Sequence, residues 1–203
     1  MSVLLLYHRP TEYWYKDAST VEEHIRAFPR HSRFPVVTVN THLGYPRGLG
    51  RKHFDALLLH YSLFGSGIYM LDKGFQHFVR ESDAYKVAFF QDEYFFCQKR
   101  FRFIDDYGID CVYTCLEPPE FDNVYGRYTN VSTIRSNYPG YASEDMVAAA
   151  GRFAKPFEER AIDVGYRGRP LPPYMGRGAL PLSAAMRRTS LGGPCGTAWR
   201  TFR

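Results

Sequence analysis

The chain has 203 residues, of which 45% are hydrophobic and 17% aromatic, and this composition excludes a wholly disordered protein because it can supply a real core. The formal net charge is +5, but residues 164–203 contain seven arginines, no lysine and no acidic residue, which leaves a charge of −2 on the rest. The positive charge therefore belongs to this last segment and does not indicate a nucleic-acid groove.

Short apolar runs alternate with helix-like segments from the first residues onward. The first helix is predicted from a capping-box pattern in which Ser19 or Thr20 is the N-cap, and the second from an apolar stripe that follows Ser66 as N-cap. The apolar runs have the length and composition of buried strands. In chain order, the predicted elements are a strand at 3–8, a helix at 19–28, strands at 34–42 and 54–62, and a helix at 66–82.

The same alternation continues through the middle of the chain. A buried strand is predicted from residue 85, and it runs into the polar residues Gln91, Asp92 and Glu93. Short strands separated by helices predict βαβ units, and near-continuous apolar strands predict a sheet that is covered on both faces. We therefore predict a Rossmann-like α/β fold with an open, mostly parallel sheet and helices on both faces. The later elements are a helix at 95–108, a strand at 109–116, a short helix at 118–128 and an extended segment at 131–141.

The composition changes near residue 160, where the sequence predicts a domain boundary. Residues 1–160 are predicted to form the Rossmann-like domain, and residues 161–178 the first strand and loop of a second domain. Residues 179–203 are rich in Gly, Ala, Arg, Pro and Ser and lack apolar periodicity, so we predict an irregular basic tail. We expect that the chain either leaves an ancestral reading frame near residue 178 or is truncated there.

Polar and aromatic residues follow four of the predicted strands at the point where each strand ends. Because the carboxyl ends of parallel strands lie at the same edge of a sheet, we expect these side chains to surround one crevice. For each residue alone, an ordinary polar loop position is the alternative interpretation. The candidates for proton transfer are His8, His60, Asp92 and Glu93, and those for substrate binding are Trp14, Tyr61, Gln91 and Tyr94.

Two further segments have residues that suit contact with phosphate groups. Gly65, Ser66 and Gly67 precede a predicted helix, where backbone N–H groups can cradle a phosphate, although they match neither the dinucleotide motif nor the P-loop. Arg167 and Arg169 are spaced to clamp a diphosphate. Both assignments are hypotheses about binding and not about catalysis.

The sequence predicts neither a membrane span nor a metal site. The apolar runs are short and the first residues lack the features of a signal peptide, so we expect a cytoplasmic chain. The basic stretch 98–102 leaves a peripheral contact with an acidic membrane open. Cys111 and Cys115 have no further partners at metal-ligand spacing.

The segments "KVAFFQDEY", "RSNYPGY" and above all "IDVGYRGRPLPPYMGR" resemble bacterial glycosyltransferases of the GT-B architecture. The similarity is to the CgeB-like and family-1-type enzymes of cell-surface polysaccharide assembly, and it extends over residues 1–178. Such enzymes have two facing Rossmann-like domains, an N-terminal one for the acceptor and a C-terminal one for the nucleotide-sugar donor. The resemblance implies that residues 3–140 form the acceptor domain and that residues 163–177 begin the donor domain.

The resemblance also implies an activity, which is transfer of a sugar from a nucleotide-sugar donor to a glycan or lipid-linked acceptor, without a metal or a cofactor. The sequence departs from the family because the rest of the donor domain, which stabilises the leaving diphosphate, has no counterpart here. We therefore expect weak transfer at most by this chain alone. The alternative is a catalytically inactive Rossmann-like remnant that binds a ligand or a partner, and an exposed apolar face would favour a homo-oligomer.

Overall fold

A single six-stranded sheet forms the centre of the fold. The computed structural model describes residues 1–11, 19–65, 69–137 and 141–159. The strands are β1 (Val3–Tyr7), β2 (Val36–Asn40), β3 (Ala56–Leu59), β4 (Tyr85–Phe89), β5 (Cys111–Thr114) and β6 (Thr133–Ser136). They lie in the order β2-β1-β3-β4-β5-β6, and every neighbouring pair is parallel. The predicted open, parallel α/β fold is therefore confirmed.

Apolar side chains cover both faces of the sheet, because successive residues of a strand point to opposite faces. Leu6 and Leu59 lie in the larger core cluster on one face. Leu58 and Phe89 lie in a second, smaller cluster on the other face. The inner strands β1, β3, β4 and β5 are consequently mostly apolar and buried, which is the pattern that makes them predictable from sequence.

The described part of the chain contains four α-helices: α1 (Ser19–His31), α2 (Lys73–Glu81), α3 (Cys97–Asp106) and α4 (Glu144–Phe153). Phe28 of α1 packs on the face of the sheet that carries the smaller cluster. Phe75 of α2 and Phe103 of α3 are fully buried in the larger cluster on the opposite face. Helices therefore cover both faces of the sheet, as the sequence predicts.

The second helix begins later than the sequence predicts. The predicted N-cap is Ser66, but α2 begins at Lys73 and its N-cap is Asp72, whose Oδ1 accepts the N–H of Phe75 at 2.9 Å. Oδ2 of Asp72 accepts the N–H of Tyr45 at 3.0 Å, so one carboxylate joins the helix start to the loop before β3. The apolar stripe contains no start signal of its own, and the aspartate cap therefore decides where the helix begins.

The other predicted elements form with small changes at their ends. α1 continues through Pro29 and ends at His31. α3 is followed by Gly108, whose φ of 60° is the left-handed conformation that glycine adopts without strain. The predicted short helix at 118–128 consists of a 3-10 turn at Pro118–Glu120 and a π-helical turn at Asp122–Gly126.

The chain divides into two compact units, Met1–Glu144 and Asp145–Arg203, and the whole sheet lies in the first. Of the second unit, the structure describes residues 145–159, which contain most of α4. The predicted donor-domain strand within 161–178 and the tail at 179–203 lie outside the described residues. Among the helices of the described ranges, none is long and apolar enough to cross a membrane.

Candidate functional site

The connections reverse direction between β1 and β3, which makes this place the topological switch point of the sheet. From β1 the chain moves outward to β2, and it then crosses back to β3 on the other side of β1. In open parallel sheets, ligands bind at such a point, in the crevice outside the carboxyl ends of the strands. Leu6 pairs with both Val39 and Leu59, so the residues that follow the three strands emerge at the same level of the edge.

Reciprocal hydrogen bonds join the ends of β1 and β2. The N–H of Arg9 donates to Asn40 Oδ1 at 3.0 Å, and Asn40 Nδ2 donates to the backbone oxygen of Arg9 at 2.7 Å. The ring of His8 lies beside them, with Nδ1 3.3 Å from Thr41 Oγ1 and its centroid 5.4 Å from that of His42. The predicted residue His8 therefore lies at the rim of the switch point.

An ion pair connects this rim to α1. Arg9 Nη2 lies 2.8 Å from Glu22 Oε2, and Arg26, one helical turn further on, pairs with the other oxygen of Glu22. The side chains of Arg9 and Glu22 are 40% and 28% exposed, so water screens their attraction. We therefore regard the pair as an orienting contact that contributes little to stability.

His60 directly follows β3 and is fully buried, and both of its ring nitrogens are in hydrogen-bonding contacts. Nδ1 accepts the backbone N–H of Ser62 at 3.1 Å and lies 2.9 Å from Ser62 Oγ, while Nε2 lies 3.0 Å from Nδ1 of His24 on α1. Ser62 Oγ in turn accepts the N–H of His8 at 3.0 Å. The structure thus brings the predicted residues His8 and His60 together through Ser62.

Burial sets the charge of this histidine pair. Burial, and to a smaller extent the neighbouring His24, lowers the pKa of His60 to about 3. Burial also lowers the pKa of His24 below its ordinary value. Both rings are therefore neutral at pH 7, and His60 is suited to hold its neighbours in place.

Aromatic rings surround the histidine pair. Tyr61, a predicted site residue, stacks on His24 with 5.4 Å between the ring centroids and 17° between the ring planes. Phe28 and Phe89 contact His24 edge to face. His24 is not predicted as a site residue, because no local signal in the sequence relates it to His60, although its place four residues before Phe28 puts it on the inner side of α1. We refer to His8, Arg9, His24, His60 and Tyr61 as the switch-point site.

The predicted carboxylate Glu93 lies at the ends of β4 and β5. Its Oε1 accepts hydrogen bonds from Thr114 Oγ1, from the N–H of Cys115 at 3.1 Å and from the hydroxyl of Tyr125 at 3.3 Å. Burial, followed by the charge of Glu93, raises the pKa of Tyr125 well above its usual range, so its hydroxyl keeps its proton. Glu93 therefore anchors the turn after β4 to the end of β5.

The remaining predicted residues of this turn lie around Glu93. Asp92 is exposed and has a left-handed φ of 53°, and Tyr94 is 58% exposed. The backbone oxygen of Gln91 accepts a hydrogen bond from the guanidinium of Arg100, which is buried. These contacts belong to the ends of β4 and β5, whereas the histidines gather around β1, β2 and β3, so the predicted residues form two groups along one edge.

The predicted phosphate cradle is described only at its first residue. Gly65 follows the 3-10 helix Tyr61–Phe64 and has a helical φ of −68°. Within the described ranges, no group of three or more His, Cys, Asp or Glu side chains is arranged to hold a metal ion. The predicted residues Trp14, Ser66, Gly67, Arg167 and Arg169 lie outside the described part of the chain, and their roles remain predictions.

A separate cleft of about 310 Å³ lies near the opposite, amino edge of the sheet. Phe54 and Ala84, which precede β3 and β4, line it together with Tyr45, Phe78 and Glu81. It shares no lining residue with the switch-point site. Since open parallel sheets bind ligands at their carboxyl edge, we take the switch-point site as the candidate functional site.

No protein-family model, no curated protein and no solved structure matches the chain. The geometry of the switch-point site and the resemblance of the chain's sequence segments are therefore the basis for a functional proposal.

Proposed function

We propose that this chain is the acceptor-side part of a GT-B glycosyltransferase that transfers a sugar from a nucleotide sugar to a glycan or lipid-linked acceptor. The observation that carries the proposal is the gathering of His8, His24, His60 and Tyr61 at the switch point of a parallel sheet. Crevices at switch points are ligand sites in this fold class, and an aromatic ring beside neutral hydrogen-bonding groups suits a hydroxyl-rich ligand.

The proposed reaction requires a base close to the acceptor hydroxyl. The hydroxyl oxygen attacks the anomeric carbon of the donor sugar, the base takes the hydroxyl proton, and the nucleoside diphosphate leaves. We assign the base to His8, because its backbone is held by Ser62 and its ring contacts Thr41 at the rim. Asp92, an exposed carboxylate after β4, is the second candidate. The donor diphosphate is assigned to Arg167 and Arg169, in keeping with the resemblance.

His60 and Glu93 have supporting roles in this proposal. His60 is fully buried and both of its ring nitrogens are engaged by Ser62 and His24, so it does not face a ligand. Glu93 uses one carboxylate oxygen to hold Thr114, Cys115 and Tyr125. Both side chains would organise the edge of the sheet while other groups bind the substrate.

A second candidate function is ligand binding without transfer. The hydrogen bonds of His60 and Glu93 favour this second function, because they occupy two of the four predicted catalytic groups in structural contacts. In this case the chain would be a Rossmann-like binding module. The two functions differ in whether sugar transfer occurs when a donor domain is supplied.

We further propose a cytoplasmic chain that makes a peripheral contact with membranes. Tyr94 and Phe96 are 58% and 42% exposed, and Lys99 Nζ lies 5.4 Å from the Phe96 ring centroid. Exposed aromatic rings next to a basic side chain suit the polar surface of a bilayer. Exposed Val37 on the edge strand β2 offers a surface for self-association, which supports the proposed homo-oligomer.

Isothermal titration of the full chain with methyl β-D-glucoside, UDP-glucose and dTDP-glucose tests the proposal. We expect the glucoside to bind, and we expect Tyr61→Ala to weaken its binding about tenfold, the effect of losing about 1.4 kcal/mol of contact. Tyr85→Ala is the matched control, because Tyr85 is an exposed tyrosine at the start of β4, far along the strand from the carboxyl edge. A wild-type chain that binds none of the three compounds would refute the proposal.

Release of UDP from UDP-glucose in the presence of the glucoside distinguishes the two candidate functions. We expect little release by the chain alone and measurable release once a GT-B donor domain is added in trans. If binding is present and release stays absent with the added domain, the chain is a binding module and the transferase proposal is wrong.

A further inference from the structure

The hydrogen-bond directions around His60 determine which nitrogen of His24 carries a proton. A backbone N–H can only donate, so Nδ1 of His60, which accepts the N–H of Ser62 at 3.1 Å, has no proton. Neutral His60 therefore has its proton on Nε2, 3.0 Å from Nδ1 of His24. Nδ1 of His24 must accept this bond, and neutral His24 consequently carries its proton on Nε2.

The surroundings of His24 keep it in this neutral form. His60 and Tyr61 contact it from the end of β3, Phe89 from β4 and Phe28 from its own helix, and all four are uncharged. A second proton on His24 would place two N–H groups against each other across the 3.0 Å contact with His60. Burial also lowers the pKa of His24, which likewise favours the neutral ring.

We propose that His24 is a ligand-binding residue of the switch-point site, whose Nε2–H is a fixed hydrogen-bond donor to an oxygen of the bound sugar. This inference rests on the proposed function and names one of its specificity-determining residues. His24 is half-buried, and among the described residues its Nε2 has no hydrogen-bond partner. The donor is therefore preset in the protein before a ligand arrives.

A neutral donor at this position selects the chemistry of the ligand. Nε2–H can bind the lone pair of a hydroxyl, and it cannot accept a hydrogen bond from an ammonium group. The half-buried ring of Tyr61, stacked on His24 with 5.4 Å between the ring centroids, adds an aromatic side chain to the same part of the site. The site consequently favours a neutral sugar over an amino sugar whose cationic nitrogen would face His24.

Long-range ¹H–¹⁵N spectra of the full chain, labelled at histidine, test the tautomers without any ligand. At pH 7.5 we expect His24 and His60 both to be neutral and protonated on Nε2, with assignments from His24→Asn and His60→Asn. Methyl β-D-glucoside should then shift the Nε2 resonance of His24. A charged His24, or one protonated on Nδ1, would overturn the inference whether or not the glucoside binds.

Two substitutions separate the donor role from the packing role. His24→Gln supplies an amide N–H donor near the position of Nε2, whereas the shorter side chain of His24→Asn keeps an acceptor near Nδ1 for His60 and has no donor that reaches the position of Nε2. We expect glucoside binding to weaken about tenfold in His24→Asn and to stay within about threefold of the wild type in His24→Gln. Equal binding by wild type and His24→Asn overturns this inference and leaves the proposed function intact. Absence of wild-type binding overturns both.

Discussion

Folding removes His60 from water without giving it a negative partner, and its ionisation is therefore coupled to stability. The pKa of a histidine in an unfolded chain is near 6.5, whereas burial lowers that of folded His60 to about 3. Between these two values the unfolded chain binds a proton that the folded protein does not bind. The contribution of neutral His60 to the free energy of unfolding is thus complete above about pH 6.5, and it is lost as the pH falls towards the folded pKa.

We expect His60 alone to lower the free energy of unfolding by about 2 kcal/mol between pH 7 and pH 5. His60→Asn keeps an acceptor for the N–H of Ser62 but cannot be protonated, so the variant should lose about 2 kcal/mol less than the wild type over this range. Urea unfolding at pH 7 and pH 5 measures the difference. His77→Asn, at an exposed position, should behave like the wild type. The same pH dependence in wild type and His60→Asn would contradict the assignment.

At the scale of elements, the turn after β4 has the most unusual backbone. Asp92 and Phe96 both have a φ of 53°, a conformation that residues with a Cβ adopt at a cost. Hydrogen bonds from Thr114, Cys115 and Tyr125 to Glu93 hold the turn in place between them. The turn is therefore kept in a strained conformation by contacts with the next strand.

Substitution of Asp92 measures this strain. Asp92→Gly and Asp92→Ala remove the same exposed carboxylate and differ only in the Cβ atom, so we expect the glycine variant to be more stable by about 1 kcal/mol. Thermal unfolding of the two variants gives the difference. At Tyr94, which lacks a left-handed φ, the order should reverse, with Tyr94→Ala more stable than Tyr94→Gly. An alanine variant at position 92 that equals the glycine variant would mean that no strain is present.

The sequence predicts those features of the fold that depend on neighbouring residues. The apolar runs locate the inner strands β1, β3, β4 and β5 because these are buried on both faces, and the alternation of strands with helices suffices to predict the parallel sheet. The start of α2 is not predicted correctly, because the capping residue Asp72 is also held by Tyr45 of a distant loop, a contact that the sequence does not reveal. The same holds for the candidate site. His8 and His60 can be predicted from the sequence, because each follows a strand directly. The position of His24 against His60, 36 residues away, depends on how α1 packs.

At the scale of the whole molecule, β1 and β2 differ in how much they contribute to stability. β1 lies between two neighbours and its Leu6 is fully buried, whereas β2 lies at the edge of the sheet and its Val37 is 41% exposed. A buried leucine leaves a cavity when it is truncated, but the space beside an exposed valine fills with water. The interior of the sheet should therefore be far more sensitive to truncation than its edge.

We expect Leu6→Ala to lower the free energy of unfolding by about 3 kcal/mol and Val37→Ala by less than about 1 kcal/mol. Urea unfolding of both variants at one pH makes the comparison direct. Equal effects at the two positions would mean that β2 is covered by another part of the chain or by a second copy.

The reciprocal bonds between Arg9 and Asn40, together with the bond from His8 to Ser62, fasten three chain segments to one another. An incoming molecule thus meets a wall whose backbone is already ordered and does not have to freeze it on contact. Less conformational entropy would be lost on association, so the proposed binding would need fewer polar contacts to reach a given affinity.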